Sequence, residues 1–248
     1  MRQSRFLLAV VLFAPFLSPA QTADEIVGKA LQARGGADKL KSLKSMRITG
    51  SIAVQGESLP FVQLQKRPNK LRRDITVQGM MLSRGFDGQN GWEKAPVQGS
   101  SEGAVNVLQG QELDELREEA DFDGTLMGYK EKGYKVELSG KEAVDGKDAY
   151  RLKVTMKNGA VRNIFIDAAS FLEVKVAGTT QRQGVATDFE LILGDYRTVE
   201  GIKFPFSFED RQPSGGTANQ KLTLEKVEFN VAIDDSSFAL PAAAPAPK

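Results

Sequence analysis

Apolar and polar residues alternate along most of this chain, and that period of two gives way to helical spacing only at the start and once in the middle. Thr22 and Glu25 form a capping-box pattern, Ile26, Val27, Ala30 and Leu31 share one helical face, and Gly35-Gly36 ends the helix. A shorter helical turn over 37–43 follows, with Leu40 and Leu43 inward. Met46, Ile48, Gly50, Ile52 and Val54 then mark a half-buried strand. Further strands are expected from Leu59 to Gln65, Lys70 to Val77 and Met80 to Phe86, and from Trp92 after a turn over Asp87 to Gly91. Residues 100–110 are small and polar and read as a loop. Gln111 to Asp121 reads as a helix with Leu113, Leu116 and Ala120 on one side, closed by Phe122 and Asp123-Gly124. Strands resume over Tyr134–Leu138, Asp148–Met156, Val161–Asp167, Phe171–Val176, Phe189–Tyr196, Ile202–Phe208 and Lys221–Val231, with a Gly-rich loop from Gln212 to Asn219.

Consecutive antiparallel hairpins with few helices predict an α+β fold built on a single, strongly curved antiparallel sheet with helices covering its concave face. The crossover helices of a parallel sheet are missing. One domain is expected over 21–240, between a signal peptide over 1–20 and a disordered Ala/Pro tail over 241–248. Arg2 and Arg5, the apolar run Phe6 to Leu17 and the small residues Ser18-Pro19-Ala20 carry the export reading, with cleavage near Ala20.

Composition narrows the chemistry. The chain has no cysteine, so neither a disulfide framework nor a lipidated N-terminal Cys is expected, and a soluble mature form follows. It has no histidine, which removes Ser-His and Cys-His nucleophiles and the usual zinc ligands. A net charge of +1 leaves no basic field for nucleic acid. No phosphate-binding loop occurs, and the Asp87 turn fails the calcium-loop pattern because Trp92 and Gln98 stand where Gly and Glu are needed. No cofactor, metal or enzyme activity is expected.

Two features stay open on the residues alone. The acidic residues of 112–123 form either a solvated helix face, a carboxylate pair sharing a cation, or the outside of a lid whose Leu113-Leu116-Ala120 stripe covers a cavity. Arg73 falls in phase with Leu71, Ile75 and Val77, so either a carboxylate meets it under the sheet or a bulge exposes it.

The run Lys66-Arg67-Pro68-Asn69, then Asp87-Gly88 with Trp92 and Pro96, and a closing Asp234-Asp235-Ser236-Ser237-Phe238, together resemble the periplasmic carriers that sort lipoproteins to the bacterial outer membrane. They resemble still more the broader group of outer-membrane lipoprotein-sorting proteins. The resemblance implies a half β-barrel whose apolar concavity receives lipid or lipoprotein acyl chains, working in the periplasm between an inner-membrane exporter and an outer-membrane acceptor. It also implies that Arg67 latches the lid by bonding its backbone carbonyls. Phe61, Leu71, Ile75, Met80, Leu82, Trp92 and Phe122 are the candidate cavity residues. The alternative is a sensor or interaction module of the cell envelope on the same half-barrel, without lipid transport.

Overall fold

Thr22 caps the first helix, α1 (Ala23–Arg34), through the reciprocal box that its sequence predicts: Oγ1 accepts from the Glu25 N–H, and the Thr22 N–H donates to Glu25 Oε2 at 3.0 Å. Ile26, Val27 and Ala30 form its buried face, and a short helix, α2 (Ala37–Ser42), follows with Leu40 buried. The computed structural model describes residues 21–96, 103–182, 185–211 and 220–241. The expected signal peptide over 1–20, the Gly-rich segment over 212–219 and all but Pro241 of the expected tail over 241–248 lie outside the described residues.

The first six strands are β1 (Ser45–Val54), β2 (Glu57–Lys66), β3 (Lys70–Val77), β4 (Met80–Phe86), β5 (Gly91–Ala95) and β6 (Ala104–Leu108). Helix α3 (Gly110–Glu119) and a run of turns lead to β7 (Lys135–Val144), β8 (Lys147–Thr155), β9 (Val161–Asp167), β10 (Glu173–Arg182), β11 (Val185–Val199), β12 (Ile202–Arg211) and β13 (Gln220–Phe229). The described strands make one antiparallel sheet in the order β6-β5-β4-β3-β2-β1-β13-β12-β11-β10-β9-β8-β7. Two meanders therefore spread outward from a seam, β1 against β13. The two edge strands, β6 and β7, are successive in the chain, so α3 and its following turns span the mouth of the curved sheet.

The seam depends on Gly50. The pairing slips between Thr49 and Gly50, and a Cβ at Gly50 would lie 2.2 Å from the Thr223 carbonyl oxygen. Only glycine lets the two meanders approach this closely.

The concave face carries most of the core. Ile26, Val27 and Ala30 of α1 pack on Leu152, Val154, Ile164 and Ile166 of β8 and β9. Leu40 and Leu43 pack on Met46, Ile48, Ile202, Leu224 and Phe229 near the seam. Leu116 of α3 and Ala120, which caps the helix, pack on Leu71, Phe86 and Leu108. The convex face behind β2–β5 is covered by a closing 3-10 turn over Asp235–Phe238. Trp92 Nε1 donates to the Phe238 carbonyl at 2.9 Å, Arg72 Nη1 donates to Ser237 O, and Asp235 takes Lys66 at 2.8 Å and Lys70 at 2.9 Å. Those two ammonium groups hold the Asp235 carboxyl down at about 2.

Several expected boundaries move: β7, β10, β11 and β12 run on to Val144, Arg182, Val199 and Arg211, and three further shifts have a visible local cause. Within the expected loop over 100–110 lies β6, whose short Ala-Val-Asn-Val-Leu run becomes a strand by pairing with β5. Phe171 takes φ 56° in a turn organised by Asp167, whose carboxylate accepts from Ser170 N–H at 2.6 Å, so β10 starts at Glu173. The last strand stops at Phe229, because Asn230 turns with φ 55° and its side chain accepts from the Lys44 N–H at 2.8 Å.

Candidate functional site

Strand alternation sends Met46 and Ile48 of β1, Phe61, Gln63 and Gln65 of β2, Arg73 of β3, Phe204 and Phe208 of β12, and Leu222 and Leu224 of β13 to the same side. With Leu191 of β11 they line a half-open cavity of about 390 Å³ beside the seam. Its walls are mainly apolar. Gln63, Gln65, Arg73 and Glu119 form a polar group at one end, and Asp210 and Gln220 stand at the other. The inward polar residues do not reach for solvent: Gln63 and Gln65 are buried, and Gln63 Oε1 accepts from Arg73 Nε at 2.8 Å.

Helix α3 covers this end, seated by its buried Leu116 and tied by several partly exposed polar pairs. Glu119 pairs with Arg73, and Gln65 Nε2 donates to the Glu119 carbonyl at 3.3 Å. On the far side, Glu118 pairs with Arg162 of β9 at 3.2 Å and Glu115 accepts from Thr180 of β10 at 2.7 Å. Asp121, in the turn after α3, pairs with Lys132 at 2.5 Å. Of the three readings of the acidic segment, the solvated face is therefore the wrong one for Glu115, Glu118, Glu119 and Asp121. A second hollow, of about 450 Å³ and lined largely by polar groups such as Asn69, Arg117, Lys132 and Asn158, flanks the other side of the helix. Only its Leu113, Leu116 and Ala120 stripe is seated in apolar contact, against Leu71, Phe86 and Leu108.

Arg67 leaves the end of β2 pointing under α2. Its Nε donates to Leu43 O at 2.5 Å and its Nη2 to Leu40 O at 3.1 Å, while Nη1 and Nη2 fork onto Asp123 at 2.8 and 2.6 Å. The guanidinium also lies 4.8 Å from the centre of the Phe122 ring. One side chain thus ties the carbonyls of α2 to the turn that follows α3. A small void of about 30 Å³ lies beside it, and Met46 and Phe204 line both this void and the larger cavity.

The other candidate residues scatter. Phe61 lines the main cavity and Phe122 the small void. Ile75 and Leu82 continue the transverse row of Phe61 across β3 and β4. Leu71 is fully buried beneath α3 and faces no free space. Met80 and Trp92 do not belong to the cavity. Met80 sits at the β3–β4 hairpin end, 48 % exposed. Trp92 pairs with Gly85, which pairs with Arg72, so it shares the outer phase of the sheet. Gly85 leaves room for the indole, which a Cβ there would meet at 2.4 Å.

Sequence reasoning missed Gln63, Gln65, Phe204, Phe208, Leu222 and Leu224 as cavity residues. The signal was present as two glutamines in phase with Phe61, polar groups at inward positions. Among the described residues, no group of three acidic side chains could hold a metal ion, and no helix is long and apolar enough to cross a membrane.

No protein-family model matches the chain, and no curated protein does. Solved structures do. A DUF1329 family protein from Desulfovibrio piger superposes with a TM-score of 0.58 at 15% identity, covering 88% of this chain and 97% of its own. A LolA superfamily protein from Nitrosomonas europaea gives 0.56 at 15% identity, over 89% and 98%. A domain described for outer membrane lipoprotein sorting, from Vibrio parahaemolyticus, gives 0.55 at 13% identity, over 86% and 94%. At these identities the likeness is one of fold: the chain shares with these structures an open, curved antiparallel sheet.

Proposed function

We propose that this protein is an exported, periplasmic carrier that holds lipid or lipoprotein acyl chains in the cavity beside the β1–β13 seam and performs no catalysis. The observation that carries the reading is a hollow of about 390 Å³, mainly apolar, left under a helix held by ion pairs. Interiors are normally filled to crystal-like density, so an unfilled apolar space of this size is a place for a ligand. Each methylene buried there contributes about 0.8 kcal/mol, against the cost of moving α3 and α2. In this reading Arg67 is the latch. Its fork satisfies two carbonyls and a carboxylate in the shut form, and its release would join the small void to the main cavity past Met46 and Phe204. The bound chain would be received from an inner-membrane exporter and passed to an outer-membrane acceptor.

Native mass spectrometry of the protein, purified from a periplasmic extract without detergent, tests this. An added mass of lipid size that disappears on denaturation is expected. Arg67→Leu leaves Asp123 without its partner and removes bonds specific to the shut form; it should cost about 1–3 kcal/mol of stability in the empty protein and raise the fraction that retains lipid. A bare mass that stays bare with acyl probes would instead favour an envelope interaction module. That second reading has its own support in the exposed edge strand β6, where Val107 is 52 % exposed.

A further inference from the structure

Across the concave face of the first meander runs a row of polar side chains. The register sets Gln63 opposite Arg73, Arg73 opposite Arg84, Arg84 opposite Glu93 and Glu93 opposite Asn106. Two guanidinium groups thus stand side by side on adjacent inward positions, where like charges repel unless anions are supplied. Glu93 and Glu119 supply them imperfectly. Arg84 Nε is buried and makes no hydrogen bond, with Glu93 Oε1 at 3.4 Å. Arg73 depends on a carboxylate carried by α3, a different element from the sheet that holds it. The Glu119 side chain is 30% exposed, so it can turn to water when it leaves.

The cavity leads away from this pair along the strands. From Arg73, level with Ile48 through Gln63, to Leu222, paired with Ile52, the wall runs roughly 13 Å along the strands at the usual rise while crossing from β3 to β13, with Asp210 and Gln220 beyond Leu222. Its volume of about 390 Å³ lies at the lower end of the usual range for a site that takes one small ligand, which suits a single chain rather than several. A mainly apolar cavity with a guanidinium among the polar groups at one end matches one kind of amphiphile.

We propose that the cavity takes a single-chain lipid with its carboxylate on Arg73, displacing Glu119, and its alkyl tail running toward Leu222. This rests on the carrier reading and goes beyond it by fixing the head group, the orientation and the number of chains. It also gives loading a consequence for the lid. The incoming carboxylate replaces the Glu119 bond to β3 with its own, so α3 is released on that side as the ligand arrives. A guanidinium favours this exchange because its planar fork accepts either carboxylate with the same geometry.

The test compares tetradecanoate with tetradecanol, equal in chain and different in head, by titration calorimetry at pH 8 on the protein and two variants. The protein is expected to bind the acid about tenfold tighter than the alcohol or better, the value of a charge-assisted pair. Arg73→Met should bring that ratio to about one while alcohol affinity holds. Glu119→Gln, which keeps the shape of the helix end, should tighten the acid several-fold and leave the alcohol unchanged. Equal affinity for acid and alcohol in the unaltered protein, or a Glu119→Gln variant with unchanged or weaker acid binding, would overturn the inference and leave the carrier reading intact. Binding of neither probe would remove both.

Discussion

The two halves of the concave face make a controlled comparison within one sheet. Under β8 and β9 the face is filled: Ile26, Val27 and Ala30 of α1 seal it, and Leu152, Val154, Ile164 and Ile166 are each 1% exposed or less. Across the seam, β1–β3 and β11–β13 present Phe61, Phe204, Phe208, Leu222 and Leu224 to about 390 Å³ of empty space. Both halves alternate apolar residues inward, so hydrophobicity does not distinguish them. Two things do. The helix α1 buries its Ile26, Val27 and Ala30 face against β8 and β9 and reaches the other half only through Leu31 and its contact with β12, and the other half places Gln63, Gln65 and Arg73 at inward positions where an apolar helix face could not sit without stranding them. Polar residues in the wrong phase keep the second half open, and α3 can cover it only by bringing carboxylates.

Truncating one wall residue on each side puts the contrast between filled and hollow halves to the most demanding test. Ile164→Ala removes atoms packed on every side and should cost about 3–4 kcal/mol in denaturant unfolding, as buried Ile→Ala changes do. Phe208→Ala removes a ring that already borders a void, where contacts on one side are missing, and should cost about 1–2 kcal/mol despite the larger side chain. Equal losses would mean that the hollow half is packed in solution. Enlarging residues should show the reverse asymmetry. Ala30→Leu, 2% exposed and wedged against β8, should cost about 1–3 kcal/mol. Leu222→Phe grows into the cavity, so it should shift stability by less than about 1 kcal/mol while lowering the amount of acyl chain that the protein retains.

What could be read in advance follows the range of the interaction that decides it. The Thr22–Glu25 box, the period-two strands and the Asp87 turn are settled within a few residues, and each stands as the local pattern implies. Arg73 could be narrowed to a buried pair or a bulge, but its carboxylate comes from Glu119, on an element whose path across the sheet depends on the whole topology. Trp92 shows the limit from the other direction. The only tryptophan of the chain is fully buried, and reading a buried aromatic as cavity wall is reasonable until the cover on the convex face appears. That cover is Phe238 and its 3-10 turn, 146 residues farther along. The pairing of β1 with β13 is of the same kind, because nothing near Gly50 names Thr223 as its neighbour.

The convex cover matters to the contrast between the halves, since it supports from behind the half that is hollow in front. Its docking has an electrostatic component that pH can remove. Asp235 is held at about 2, below its ordinary 3.8, by Lys66 and Lys70. A carboxylate with a depressed folded-state pKa stabilises the docked turn at pH values above about 4 and loses that contribution as the pH falls through 3.8 toward 2. The pair is exposed and screened, so the effect should be smaller than that of any of the core substitutions and weaker still at high salt. Trp92 reports it directly, because its indole donates to the Phe238 carbonyl. Its fluorescence should shift to the red between pH 4 and 2, ahead of the loss of far-UV circular dichroism, and Asp235→Asn should remove most of that early step. If emission and secondary structure change together in both proteins, the turn is held by Phe238 and Trp92 burial alone, and the support behind the hollow half is wholly apolar.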